Sequence, residues 1–258
     1  MSSRAPARSR AARGISPEPP APAARPLETH TLATPVHGTY LVEPPPASAP
    51  RAAVVGFHGY GETAADHLAE LRRLAAAARP TSDAWLLCAV QALHPFYKRT
   101  GEVVAGWMTR FDRDHAIADN VRYVTSVVDD LHRRHPTLER LAFAGFSQGV
   151  AMAWRATAAS PRRVHALVVL AGDVPPDVAE RDLRDPPPVL LGRGTGDEWY
   201  DDAKLRADLE TLAGMGVTPE PLVFDGGHEW GDRFVRRAAS FLAKQLGADD
   251  PRAERKRG

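Results

Sequence analysis

Along the chain, short apolar runs alternate with longer stretches in which apolar residues recur every third or fourth position. The first run, Leu27 to Val42, divides into two strand-like pieces around Val36-His37-Gly38 and is broken by Pro44-Pro45-Pro46. Ala52 to Phe57 is continuously apolar, the pattern of a strand covered on both faces. Ala64, Leu68, Leu71, Ala75 and Ala78 then mark one face of a helix, and Ala84 to Val90 reads as a second buried strand. A long connection follows, Gln91 to Arg113, which carries Pro95, Gly101 and Gly106 and several large side chains. Ile117, Val121, Val124, Val128 and Leu131 predict an amphipathic helix from about His115 to Arg134, stopped by Pro136. Leu141 to Phe146 is a strand that runs directly into a helix over Gln148 to Ala159. Val164 to Leu170, Pro188 to Leu191 and Pro219 to Phe224 read as further strands. Leu205, Leu209 and Leu212 mark the helix between the last two, and Phe234, Ala238, Phe241 and Leu242 mark a final one.

Strands alternating with helices predict an α/β fold: a mostly parallel, eight-stranded sheet with an antiparallel opening pair and helices on both faces. Ligands of such sheets collect outside the carboxyl ends of the strands. One domain, residues 27–247, holds all of these elements. Residues 1–26, rich in Ala, Pro and Arg, read as a disordered extension, and the basic stretch 248–258 as a flexible tail. No apolar segment follows the basic start, so it is not read as a secretory signal. No run reaches the roughly 18 apolar residues of a membrane span. The expected address is therefore the cytoplasm, with no integral membrane segment.

Composition changes this picture little. The 258 residues are 43% hydrophobic and 25% charged, and a net charge of +1 gives no reason to expect a nucleic-acid partner. Cys88 is the one cysteine, which rules out an internal disulfide, and its apolar strand marks it as core packing. Cys/His spacings typical of zinc sites are absent, and a homodimer is compatible with the sequence without being specified by it.

Four local signals carry chemistry. The first is Gly145-Phe146-Ser147-Gln148-Gly149. Gly-x-Ser-x-Gly alone is weak, but here an apolar run precedes it and a helix follows, the context in which a serine hydroxyl is held above a sheet. The second is Phe57-His58-Gly59-Tyr60-Gly61, at the end of a strand. Acyl transfer develops an oxyanion that two backbone N–H groups can stabilise; Gln148 would supply one and Tyr60, or failing it Gly59, the other. His58 is read as shaping that loop. The third is His228, which alone among the ten histidines occupies a glycine-flanked loop after a late strand. There it could take the serine proton. The fourth is a carboxylate to orient that imidazole. Asp197, in Gly194-Thr195-Gly196-Asp197, follows a strand and lies between Ser147 and His228 in sequence. Asp173 also follows a strand and competes for the role, with Glu198 a more remote option; Asp201 and Asp202 read as helix-start residues.

These motifs together resemble the phospholipase/carboxylesterase family of α/β-hydrolases, which includes acyl-protein thioesterases and small bacterial carboxylesterases. The resemblance runs from about Ala52 to Leu246. It implies an α/β-hydrolase fold, a Ser147–Asp197–His228 triad, and Tyr60 and Gln148 as oxyanion-hole positions. In the family, the loop after the Cys88 strand contributes to the acyl pocket. Here that loop offers Phe96, Tyr97, Trp107, Met108 and Phe111, with Arg110 and Arg113 among them. Trp107, Met108, Phe111, Trp199 and Trp230 are the candidate substrate contacts, though packing of the loop onto the body accounts equally well for any one aromatic. The thioesterase members usually have His-Gly before the acid segment and Val-Pro after the Asp. This chain has Arg193-Gly194 and Trp199-Tyr200. The expected activity is cleavage of small to medium carboxylic esters through an acyl-serine, with no metal or organic cofactor. A thioesterase or lysophospholipase acting on longer chains is the rival within the class, and a catalytically inactive binding protein is the rival outside it.

Overall fold

A computed structural model describes residues 27–45, 49–180, 183 and 185–247. The readings of 1–26 and 248–258 lie outside the described residues. Residues 27–35 belong to a unit of their own, and the elements below to another that begins at Val36. The described part of the first unit has neither helix nor strand, and its side chains are exposed.

Among the described residues nine strands form two sheets. The main sheet has seven strands in the order β1-β3-β2-β6-β7-β8-β9. These are β1 (Tyr40–Glu43), β2 (Ala52–Phe57), β3 (Trp85–Val90), β6 (Arg140–Phe146), β7 (Ala166–Leu170), β8 (Val189–Gly194) and β9 (Glu220–Phe224). Every pairing is parallel except β1 with β3. Apart from Arg140 at the mouth of β6, every residue of β2, β3, β6, β7 and β8 is buried. This is why these strands read as unbroken apolar runs. Cys88 lies in β3, and burial pushes its thiol well above the usual range, as inert core packing requires.

Among the described residues the α-helices are α1 (Ala64–Ala77), α2 (Arg113–Arg134), α3 (Gln148–Ala159), the one-turn α4 (Pro176–Ala179), α5 (Asp202–Gly214) and α6 (Asp232–Gly247). α1 packs with α6, and α2 with α3. A capping box opens α1: the Thr63 hydroxyl accepts from the Asp66 N–H, and the Asp66 carboxylate accepts from the Thr63 N–H. Asp201 caps α5 by accepting from the Lys204 N–H.

Two features depart from the expected layout. The main sheet has seven strands rather than eight because Leu27 to Val36 does not form a strand, and β1 finds its antiparallel partner in β3 rather than in a preceding hairpin arm. A short apolar segment becomes a strand only where an open edge accepts it. The long connection after β3 also has structure of its own, the hairpin β4 (His94–Tyr97) with β5 (Val103–Gly106). That hairpin grips the segment after β2: Gly61 N–H donates to the Ala105 carbonyl at 2.9 Å and Ala105 N–H to the Glu62 carbonyl at 3.0 Å.

Candidate active site

The segments after β2, β6, β7, β8 and β9 meet at the carboxyl ends of the parallel strands, where the sheet changes the direction in which it adds strands. Ser147 stands between β6 and α3 with φ 52° and ψ −121°. Such a positive φ is strained for a residue with a side chain and persists only where the surroundings enforce it. Here they do: Ser147 N–H donates to the Leu170 carbonyl at 2.9 Å. The flanking glycines let the turn close, since a Cβ on Gly145 would lie 2.6 Å from the Gly149 carbonyl oxygen.

His228 bridges two groups far apart in sequence. Its Nδ1 lies 2.8 Å from Asp197 Oδ2, and its Nε2 lies 2.8 Å from Ser147 Oγ. A carboxylate only accepts, so the ring proton sits on Nδ1 and Nε2 is left to accept from the serine hydroxyl. The Asp197 side chain is fully buried, and its other oxygen accepts from the Trp199 and Tyr200 N–H groups at 2.9 Å each. Arg193 braces the same turn: it donates to the Tyr200 carbonyl at 3.0 Å and the Thr195 carbonyl at 3.3 Å. The Arg-Gly that departs from the thioesterase pattern is therefore a structural clamp on the acid loop. Asp173, the competing carboxylate, is more than half exposed and lies 3.8 Å from Lys204 Nζ. Among the described residues no hydrogen bond or ion pair joins it to His228.

The loop after β2 is equally fixed. His58 is fully buried; its Nε2 accepts from Ala92 N–H at 3.1 Å, so Nδ1–H donates to the Gly59 carbonyl at 2.7 Å. Burial lowers the pKa of this ring, in keeping with a neutral, loop-shaping histidine. Gly59 N–H is already taken by Glu62 Oε2 at 2.7 Å. Among the described residues the Tyr60 and Gln148 N–H groups have no acceptor. Tyr60 lies stacked on Phe96 of the hairpin, ring centroids 5.0 Å apart. The Gln148 side chain ties α3 to the far wall, accepting from Trp107 N–H at 2.7 Å and donating to the Met108 carbonyl at 2.9 Å.

Ser147 and His228 open into a cleft of about 620 Å³ whose apolar lining includes Met108, Val174, Pro175 and Trp199. Two of the five candidate substrate contacts, Met108 and Trp199, line it; three do not. Trp107 is buried, packs edge-on against Phe57 at 5.7 Å and donates its indole N–H to the His58 carbonyl at 2.8 Å. It braces the loop from behind. Phe111 is 87% exposed and outside the cleft lining. Trp230 is buried between His67, Phe146 and Phe234 and borders a separate 190 Å³ cavity behind His228.

Three contributors were not singled out from the sequence. Glu62 holds the loop after β2, and Tyr200 and Asp208 join the acid turn to the cleft wall. Tyr200 O–H donates to Asp208 at 2.7 Å, and Asp208 accepts from Val174 N–H at 3.1 Å. Burial raises the pKa of Glu62 and of Asp208, and each carboxyl is stabilised against this by the hydrogen bonds it accepts. No signal near them in sequence marks these roles, because their partners come from folding. Among the described residues no cluster of His, Cys, Asp or Glu is placed to hold a metal ion, and no helix is long and apolar enough to cross a membrane.

No curated protein sequence matches the chain. Among solved structures it is similar to esterase PE8, at 23% identity with a TM-score of 0.66, over 81% of this chain and 100% of that one. It is similar to a Mesorhizobium loti carboxylesterase at 21% identity and TM-score 0.62, over 76% of this chain and 90% of that one. With Zea mays acyl-protein thioesterase 2 the values are 18% and 0.60, over 82% of this chain and 100% of that one. These likenesses establish the α/β-hydrolase fold. The family model described as Phospholipase/Carboxylesterase matches residues 40–246, most of the chain, and the chain belongs to that family.

Proposed function

We propose that this protein is a serine esterase that cleaves carboxylic esters of small to medium acyl groups through an acyl-serine intermediate. The observation that carries this reading is His228 hydrogen-bonded at once to Ser147 Oγ and to the buried Asp197, 2.8 Å from each, on a strained strand-to-helix turn. Ser147 Oγ attacks the ester carbonyl carbon while its proton passes to His228 Nε2. Asp197 keeps the ring in the tautomer that can accept that proton and stabilises the imidazolium that forms. The carbonyl oxygen, now an oxyanion, is met by the N–H groups of Tyr60 and Gln148, which have no acceptor among the described residues. The imidazolium then gives its proton to the departing alcohol, the C–O bond breaks and the acyl group remains on Ser147. Water, deprotonated by His228, hydrolyses the acyl-serine and restores the hydroxyl.

A fluorophosphonate probe tests this reading. It should add one adduct, mapped by peptide mass to Ser147; a folded protein that takes no adduct would contradict it. Turnover of p-nitrophenyl esters from acetyl to palmitoyl should peak among the short and medium chains, whereas a peak at palmitoyl would indicate a long-chain thioesterase or lysophospholipase.

Glu62 enters this mechanism as a positioning residue. By occupying the Gly59 N–H it fixes the turn that presents Tyr60 N–H. Charge-assisted hydrogen bonds of this kind contribute about 1.5–3 kcal/mol. Glu62→Ala is therefore expected to lower kcat about tenfold with a much smaller change in KM, since the oxyanion forms only after binding. Steady-state kinetics on p-nitrophenyl butyrate would show this, and a change confined to KM would remove Glu62 from the role.

A further inference from the structure

The cleft carries charge that ester cleavage does not need. Arg110, Arg113 and Lys204 line it together with Ser147, and Asp173 is the one carboxylate in the lining. The lining thus holds an excess of two positive charges, in a chain whose whole net charge is +1. Many arginines elsewhere are held by acids, among them Arg51, Arg72, Arg122, Arg155 and Arg237, while others, such as Arg99 and Arg236, have no such pair among the described residues and stand outside the cleft lining. Arg110 and Arg113 have no such partner among the described residues. Arg113 is flanked in sequence by two acids: Asp112 is taken by His115 at 2.6 Å, and Asp114, in the first turn of α2, pairs with neither guanidinium among the described residues, while Asp173 lies beside Lys204 at 3.8 Å. Both guanidinium groups are exposed at a concave surface walled by Met108, Val174 and Pro175. Low-dielectric walls of this kind concentrate the field of the charges they carry. Arg113 is also the first residue of α2, so the dipole of that helix adds a field of the same sign.

We infer that the natural substrate is an ester bearing an oxyanion, a carboxylate or a phosphate, which Arg110 and Arg113 bind while Ser147 attacks the ester carbonyl. The inference rests on the serine-esterase reading and adds the substrate class. Arginine suits the task because its planar fork of donors matches both oxyanions in two-point contact, and it stays charged at any working pH. Lys204 is the weaker contributor, since its ammonium already donates to the Trp199 carbonyl at 2.6 Å.

Matched charged and neutral esters test this. Mono-4-nitrophenyl adipate is compared with its methyl ester for the carboxylate. For the phosphate, 2-phosphoethyl butyrate is compared with its dimethyl phosphotriester. In at least one pair kcat/KM should favour the anionic member by about tenfold, as one charge-assisted contact warrants. The pair that shows the preference identifies the oxyanion. Arg110→Gln with Arg113→Gln should bring the ratio close to unity, as should about 0.5 M salt, which screens exposed charges within a few ångströms. Arg236→Gln removes an exposed charge on α6 outside the cleft lining and should keep the preference. Turnover of the neutral esters without preference in either pair, or a preference that survives the double substitution, overturns the inference alone. Failure to turn over all four esters, with no fluorophosphonate adduct, overturns the esterase reading and the inference with it.

Discussion

Ser147→Ala is expected to lower kcat on p-nitrophenyl butyrate by at least roughly 10⁴-fold while leaving the fold intact. The size follows from what the hydroxyl does in the proposed mechanism. Without Oγ no acyl-enzyme can form, and His228 loses the one group whose proton it is placed to take, 2.8 Å from Nε2. The residual rate would come from the Tyr60 and Gln148 N–H groups acting on a direct attack by water. The fold should be spared because alanine keeps the Cβ. The backbone strain at φ 52° is then the same in both proteins, and the lost hydrogen bond is to a side chain that keeps partial access to solvent. The change in stability should stay within about 0.5 kcal/mol, typical of substitutions that leave packing untouched. His228→Ala should match the loss in kcat, and the double variant should fall no further, since groups acting as one unit do not lose activity additively. Thermal melts beside steady-state kinetics would check both halves. Turnover within tenfold of the parent in Ser147→Ala would remove the serine from the mechanism.

How far the site could be read from sequence depended on whether the deciding contact was local. The strand, the serine turn and the following helix are contiguous, so Leu141 to Ala159 showed both the element order and the place of Ser147. The acid was different. Asp173 and Asp197 both follow strands, and their local sequences do not separate them. The reach of His228 from beyond β9 does, together with two backbone N–H groups that receive Asp197 after β8. Aromatic identity was a poor guide to the cleft for a similar reason. Trp107 and Trp230 look like pocket residues because they are large and near the motifs, but each buries its ring against partners contributed by other segments. The hairpin β4–β5 was hidden by Pro95, which cannot donate to a ladder, and by β4 itself, which is mostly exposed and carries no apolar alternation. Its purpose is visible only where Ala105 bonds to Gly61 and Glu62, 44 and 43 residues earlier in the chain. Conversely, Leu27 to Val36 has a strand-like pattern and no strand, because pattern supplies no partner.

Gly149→Ala is expected to be the most damaging single-methyl change near the site, through packing and not through backbone conformation. Its Cβ would stand 2.0 Å from the Phe57 carbonyl oxygen and 2.6 Å from that of His58. Both atoms are main chain, so no rotamer change can relieve the contact, and either α3 or the end of β2 must move. Neither can move cheaply. β2 is paired on both sides, Phe57 opposite Gly145 of β6 and Val90 of β3, and all of its residues are buried. Overpacking of this kind costs about 1–3 kcal/mol, and a backbone obstacle places this variant near the upper end. Activity should suffer more than stability. The two surfaces forced apart carry the two halves of the proposed machinery, Ser147 and the Gln148 N–H at the start of α3 and the Tyr60 N–H beyond β2. A displacement approaching 1 Å between them can cost about 10²-fold in turnover. Gly214 is the control: in α5 a Cβ there meets nothing within 4 Å, so Gly214→Ala should be neutral or stabilise by about 0.5–1 kcal/mol. Denaturant melts and kcat measured on the folded fraction would separate the two effects. If Gly149→Ala kept the parent's melting point and turnover, α3 would be free to withdraw from β2, and the close approach seen here would not be what aligns the serine with the loop opposite it.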